Sequence, residues 1–143
     1  MRILEASHPK NSQFLLGIIG LCLLVVYLNF NKQTVDITNV SAIEAKTLID
    51  NGAIVFDVRE ADKYDNRHIP GAISLPLSLL KAGIPLIYES LKTNDIVIYC
   101  GDGVTTGPVA TAILNDAGYA KAVNIKSGIQ GWVDEGFPID KRA

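Results

Sequence analysis

The sequence predicts an α/β protein: one parallel sheet with helices on both faces, preceded by a single transmembrane helix. Three observations lead there. Ala53-Ile54-Val55-Phe56-Asp57-Val58 is apolar throughout, as a strand covered on both faces would be, and Ile96-Val97-Ile98-Tyr99 is a second, β-branched run. Strand patterns alternate with helical patterns along the chain, which implies parallel pairing with the helices packed on the sheet. Ahead of them, Phe14 to Phe30 reads FLLGIIGLCLLVVYLNF, with Asn29 its one strongly polar member.

The apolar run would form a helix roughly 25 Å long at about 1.5 Å per residue, enough to cross a bilayer core. A cleaved signal peptide is the alternative; the run is long for one and ends in bulky residues without a small-x-small cleavage site. Residues 1–13 form the tail before it, 31–39 a connector with a first short strand, and 36–143 the globular domain. Arg2 and Lys10 precede the run and Lys32 follows it. The positive-inside tendency then puts the N-terminus in the cytoplasm and the domain in a periplasm or outside the cell.

With 13 basic and 15 acidic residues among 143, the net charge of -2 leaves no footprint for nucleic acid, and the charges are scattered. The length fits one domain with a modest core. Cys22 lies within the apolar run, so Cys100 is expected to be a free thiol. No cluster has the spacing of a zinc or calcium site, and no cofactor is implied.

Taken in order, Val35 and Ile37 alternate as a small strand. Ser41-x-x-Glu44 is a capping box opening a helix over Ala42 to Asp50, which Asn51-Gly52 stops. After the apolar strand, Glu60 to Asp65 forms a helical turn, His68-Ile69-Pro70-Gly71 a turn, and Ala72 to Leu75 a brief strand. Pro76 to Leu91 is a helix broken at Gly83 and Pro85. Ile96 to Tyr99 delivers Cys100. Thr106 to Ala117 is the next helix, with Pro108 tolerated in its first turn. Ala122 to Ile125 is a last strand, and Ile129 to Asp134 a short helix carrying Trp132.

Cys100 is the candidate nucleophile. It ends a strand and is followed by a glycine-containing loop, Gly101-Asp102-Gly103-Val104-Thr105-Thr106, that opens a helix. Such a loop aims unpaired amides at one spot, and that spot favours a thiolate. In parallel sheets ligands sit at the carboxyl ends of the strands, where this cysteine falls. A cysteine ending an apolar strand is otherwise a small core residue.

Asp57-Val58-Arg59-Glu60, the stretch Arg67-His68-Ile69-Pro70-Gly71-Ala72-Ile73-Ser74-Leu75-Pro76, Ile98 to Thr105, and Gly128-Ile129-Gln130-Gly131-Trp132 together resemble a rhodanese domain, the sulfurtransferase fold. The match covers residues 36 to 137. It implies a single rhodanese-like domain whose Cys100 takes sulfane sulfur from a small donor, holds it as a persulfide, and passes it to a thiol, to a cyanide-like acceptor or to a protein acceptor. By the same analogy the loop from Gly101 to Thr106 wraps the sulfur with its amides, and Asp57 and Arg59 shape the neighbouring strand end.

Cys-Gly-x-Gly-Val-Thr is similar to the loop of the mercaptopyruvate sulfurtransferases, with Thr105 where thiosulfate-associated forms carry arginine. Those enzymes usually have two such domains, and Ser where this chain has Asp102. A carboxylate there would repel an anionic donor and oppose thiolate formation, unless Lys126, Arg59 or Arg67 compensates.

Competing readings accompany each residue. Asp57 and Arg59 either act as an acid–base pair or fix the strand end. His68 reads as a turn residue and Trp132 as core. Thr105 and Thr106 either cap the helix or donate to the persulfide. The competing function is a non-catalytic rhodanese-like module tethered to the bilayer through residues 14–30. Phosphatase chemistry would want an arginine where Thr106 stands, and no Cys-x-x-Cys supplies a resolving thiol.

Overall fold

The computed structural model describes residues 11–30 and 36–142, with the side chains of the first helix described from Leu15 to Tyr27. Two compact units result, Met1–Val35 and Asp36–Ala143. In the first, α1 (Asn11–Phe30) covers the predicted apolar run. Its described large apolar side chains, from Leu15 to Tyr27, are exposed. Among the described residues no helix is long and apolar enough to cross a membrane. The span expected at 14–30 is therefore not shown. The tail up to residue 10 and connector residues 31–35 lie outside the described residues.

The second unit is built on a five-stranded sheet, all parallel, in the order β1-β5-β4-β2-β3. The strands are β1 (Asn39–Val40), β2 (Ile54–Asp57), β3 (Ile73–Ser74), β4 (Ile96–Tyr99) and β5 (Ala122–Ile125). Of the first strand expected at Val35 and Ile37, Val35 lies outside the described residues and Ile37 is not in a strand. β1 begins at Asn39, where pairing with Asn124 and Ile125 decides the register rather than local alternation.

The helices are α2 (Ala42–Asp50), α3 (Ala61–Asn66), α4 (Leu77–Ala82), α5 (Thr106–Asp116) and α6 (Gly128–Asp134), with a 3-10 helix over Leu86–Leu91. Ser41 opens α2 with the predicted capping box: its hydroxyl accepts from Glu44 N while the Glu44 carboxylate accepts from Ser41 N. The break at Gly83 to Pro85 separates α4 from the 3-10 helix, as their backbone preferences require.

Alternate residues of the central strands feed two cores, one on each face. Phe56, Ile96, Ile98 and Cys100 pack with Leu77, Leu80, Ala110 and Leu114 of α4 and α5. Val55, Val97 and Tyr99 pack with Ala42 and Ala45 of α2 and with Ile129 and Trp132 of α6. Trp132 is core, its indole N–H donating to Pro138 O at 2.8 Å. Because β2 and β4 run in register, with Asp57 opposite Tyr99, the residues that follow them emerge side by side at one end of the sheet.

Candidate functional site

Cys100 leaves β4 at that end and enters the loop toward α5. Its backbone is fixed from α6: Ile129 N donates to Cys100 O at 2.9 Å, and Gln130 N to Gly101 O at 3.3 Å. Gly128 (φ +58) makes this approach possible, since a Cβ there would lie 2.6 Å from Cys100 O. The Cys100 side chain has no exposed surface.

The expected wrap of amides around the sulfur is only partly built. Gly103 N donates to Sγ at 3.2 Å. The amides of Val104 and Thr105 instead donate to Asp102 Oδ1, at 3.0 and 3.1 Å, and the Thr105 hydroxyl joins them at 2.9 Å. The reason is acceptor strength: an ionised carboxylate two residues past the cysteine outcompetes sulfur for N–H donors. These donors, Val104 N first, then the Thr105 hydroxyl and amide, hold the Asp102 carboxyl down to about 2. Cys100 Sγ itself donates to Asp102 Oδ1 at 3.4 Å.

Thr105 stands at the N-cap of α5, yet its side chain makes no capping bond to the helix. Its hydroxyl lies 4.0 Å from Sγ and is engaged by Asp102. Of the two roles foreseen for Thr105, the helix cap is not made, while the hydroxyl stays within a long contact of the sulfur. Thr106 lines the neighbouring cleft.

Asp57 and Arg59 form the strand-end support. Asp57 is fully buried, and its Oδ1 accepts from Arg59 N at 3.0 Å and Nε at 2.9 Å, while Oδ2 accepts from Nη2 at 2.6 Å. The same Nη2 donates to Arg67 O at 2.6 Å, and the guanidinium lies over the Tyr99 ring. Both Asp57 carboxylate oxygens accept from Arg59, and through Arg59 N and Arg67 O the pair ties down backbone at the strand end. Tyr99, beneath it, accepts from Ile69 N at 3.1 Å, and burial, then the Asp57 charge, pushes its phenol well above its ordinary value. His68 is a turn residue: its Nδ1 faces Tyr64 O at 2.8 Å, its ring stacks on Tyr64, and its backbone bridges Asp140.

Next to the loop lies an open cleft of about 570 Å³ lined by Arg59, Lys63, Arg67, Gly101, Thr105 and Thr106, together with Asn66 and Ile129. Lys126, expected to supply charge, is exposed and does not line it; its carbonyl packs on Gly103 instead. Lys63 takes that place. Only Lys63 of the three lies on α3; Arg59 precedes the helix and Arg67 follows it, so no helical periodicity in the sequence marks them as one group. Asn124 was the other omission. It is a fully buried amide on β5, detectable as the one polar residue in the run Ala122 to Ile125.

A family profile for the Rhodanese-like domain matches residues 41–135, two-thirds of the chain and nearly all of the sheet-bearing unit. The chain belongs to the rhodanese-like family. Uncharacterized protein YibN of Escherichia coli (strain K12) is 32% identical over 135 residues, 92% of this chain and 90% of its own. Thiosulfate sulfurtransferase 18 of Arabidopsis thaliana is 30% identical over 116 residues, covering 73% of this chain and 85% of that one. Among solved structures, thiosulfate sulfurtransferase from Pseudomonas aeruginosa superposes with a TM-score of 0.63 at 27% identity, over 75% of this chain and 20% of that one. For a rhodanese-like domain the predicted architecture holds: a parallel α/β sheet with helices on both faces.

Proposed function

We propose that this rhodanese-like protein is a sulfurtransferase that carries sulfane sulfur as a persulfide on Cys100, from a small anionic donor to a nucleophilic acceptor. One observation carries the reading: Cys100 Sγ receives the Gly103 amide at the end of β4, beside a cleft rimmed by three cationic side chains. Such a rim draws in an anion, and an amide at sulfur stabilises charge there.

The chemistry balances simply. Attack requires the Cys100 proton, which points toward Asp102 Oδ1 at 3.4 Å, to leave to water. The thiolate attacks the outer sulfur of the donor, a Cys–S–S bond forms, and the remainder leaves with the electron pair: sulfite from thiosulfate, pyruvate enolate from mercaptopyruvate. An acceptor thiolate or cyanide then attacks the terminal sulfur and returns the Cys100 thiolate. A protein thiol serves as acceptor on the same terms. The exposed apolar side chains of α1 support a membrane tether through residues 14–30, with the N-terminus cytoplasmic and the domain periplasmic or extracellular.

Mass spectrometry of Cys100 after exposure to thiosulfate and to mercaptopyruvate, in parallel, tests the reading. A gain of one sulfur, removed by cyanide and absent in Cys100→Ser, is the expected result; no gain from either donor overturns it. A second reading rests on the full burial of Cys100 and on Asp102 holding two of the loop amides: a non-catalytic module tethered at the membrane. Under it, Cys100→Ser leaves the cellular phenotype intact while changes to the cleft rim abolish it.

A further inference from the structure

We propose that Asn124 is a positioning residue for the Cys100 sulfur, holding Gly103 so that its amide stays aimed at Sγ. Asn124 has no exposed surface, and its Nδ2 donates to Gly103 O at 2.8 Å and to Asn39 Oδ1 at 2.8 Å. Gly103 N in turn donates to Sγ at 3.2 Å. One glycine therefore has its carbonyl held by the sheet and its amide on the reactive atom. Gly103 can bridge them because it adopts φ +79 and lies against backbone, where a Cβ would come within 2.2 Å of Lys126 O. The link runs from β5 into the loop.

The orientation of the amide is decided by its neighbours. Gly103 O only accepts, so the Asn124 atom facing it is the NH₂ group. That leaves Asn124 Oδ1 buried with no hydrogen-bond partner among the described residues. It faces Gly107, in the first turn of α5, and Gly107 also abuts the sulfur: a Cβ there would sit 2.3 Å from Asn124 Oδ1 and 3.2 Å from Cys100 Sγ. An unpaired buried oxygen is a standing penalty that an apolar residue would avoid.

The role rests on the persulfide reading for its purpose, but the geometry can be tested without a sulfur donor. In the full chain, the pH profile of Cys100 alkylation by iodoacetamide is followed by mass spectrometry of the Cys100 peptide. Asp102 touches the sulfur from the loop, and Arg59, Lys63 and Arg67 rim the cleft; all four are left in place in every variant. Asn124→Ala is expected to slow alkylation at pH 7 by about three- to tenfold and to move the profile to higher pH, as losing one donor to a thiolate does. Asn39→Ala, which spares the Gly103 contact, is expected to leave the profile where it was. Should Asn124→Ala fail to fold, Asn124→Ser, too short to reach Gly103, is read in the same way. A folded Asn124 variant whose profile superimposes on the wild type overturns the proposal, as does an equal shift in Asn39→Ala. Sulfur loading separates this from the function: a wild-type protein that never loads sulfur, with the Asn124 shift still present, refutes the enzyme and leaves the positioning role standing.

Discussion

Removing the Asp57 carboxylate should unsettle the domain far more than its single side chain suggests. Asp57 has no exposure, and the Arg59 side chain keeps only 10% of its surface in contact with water. Asp57→Ala deletes the acceptors of Arg59 N, Nε and Nη2 together and strands a guanidinium in a nearly closed site. Breaking such a pair from one side costs about 3–5 kcal/mol. At about 4 °C per kcal/mol for a domain of roughly 100 residues, the melting midpoint should fall by about 12–20 °C. Arg59→Met should cost a similar amount by leaving the carboxylate alone. The double variant should then be less damaging than the two singles added together, by about 2–3 kcal/mol, because neither charge remains to be stranded. Urea unfolding of the four proteins, followed by circular dichroism, supplies the cycle. Since Arg59 Nη2 also holds Arg67 O, both single variants should loosen the cleft rim. Single variants that each cost under about 1 kcal/mol and add without coupling would show that the pair is not the strand-end support described here.

Gly107→Ala forces a methyl against Asn124 Oδ1 and Cys100 Sγ and should cost about 1–3 kcal/mol or more in urea unfolding. Gly101→Ala, whose Cβ meets nothing within 4 Å, should unfold like the wild type. Asp102 ionises more readily when folded than in the open chain, so the stability it supplies is present above its unfolded value of about 3.9 and lost as pH falls toward about 2. Asp102→Asn should accordingly flatten stability against pH between those limits; an unchanged slope would mean that the loop amides do not hold the carboxylate. Lys63→Ala/Arg67→Ala should lower sulfur loading from free thiosulfate by about tenfold at low ionic strength and weaken its salt dependence. Lys126→Ala, away from the cleft, should change neither.

Much of this architecture was readable because local signals agree with the tertiary outcome. Ser41 and Glu44 cap α2 within a few residues of each other, Gly83 and Pro85 break the chain by their own backbone limits, and the apolar runs become covered strands wherever helices pack on both faces. What local pattern could not reveal is who wins a shared donor. The amides of Val104 and Thr105 were expected at the sulfur, but Asp102 claims them, a competition settled by three-dimensional reach. Lys126 was expected to supply charge and Lys63 was not, and only the path of α3 puts Lys63 on the cleft while Lys126 stays off it. Asn124 links a strand to a loop 21 residues away, a distance at which no periodicity speaks.

The outer strands β1 and β3 are two residues each, against four in each of the three strands they enclose. A sheet bordered in this way offers too little free backbone for another chain to add itself as an extra strand, the route by which many β-proteins recruit peptides or assemble into fibres. Recognition of any macromolecular companion is thereby directed to side chains and loops, among them those flanking Cys100, and the domain gains protection from edge-to-edge self-association through brevity alone.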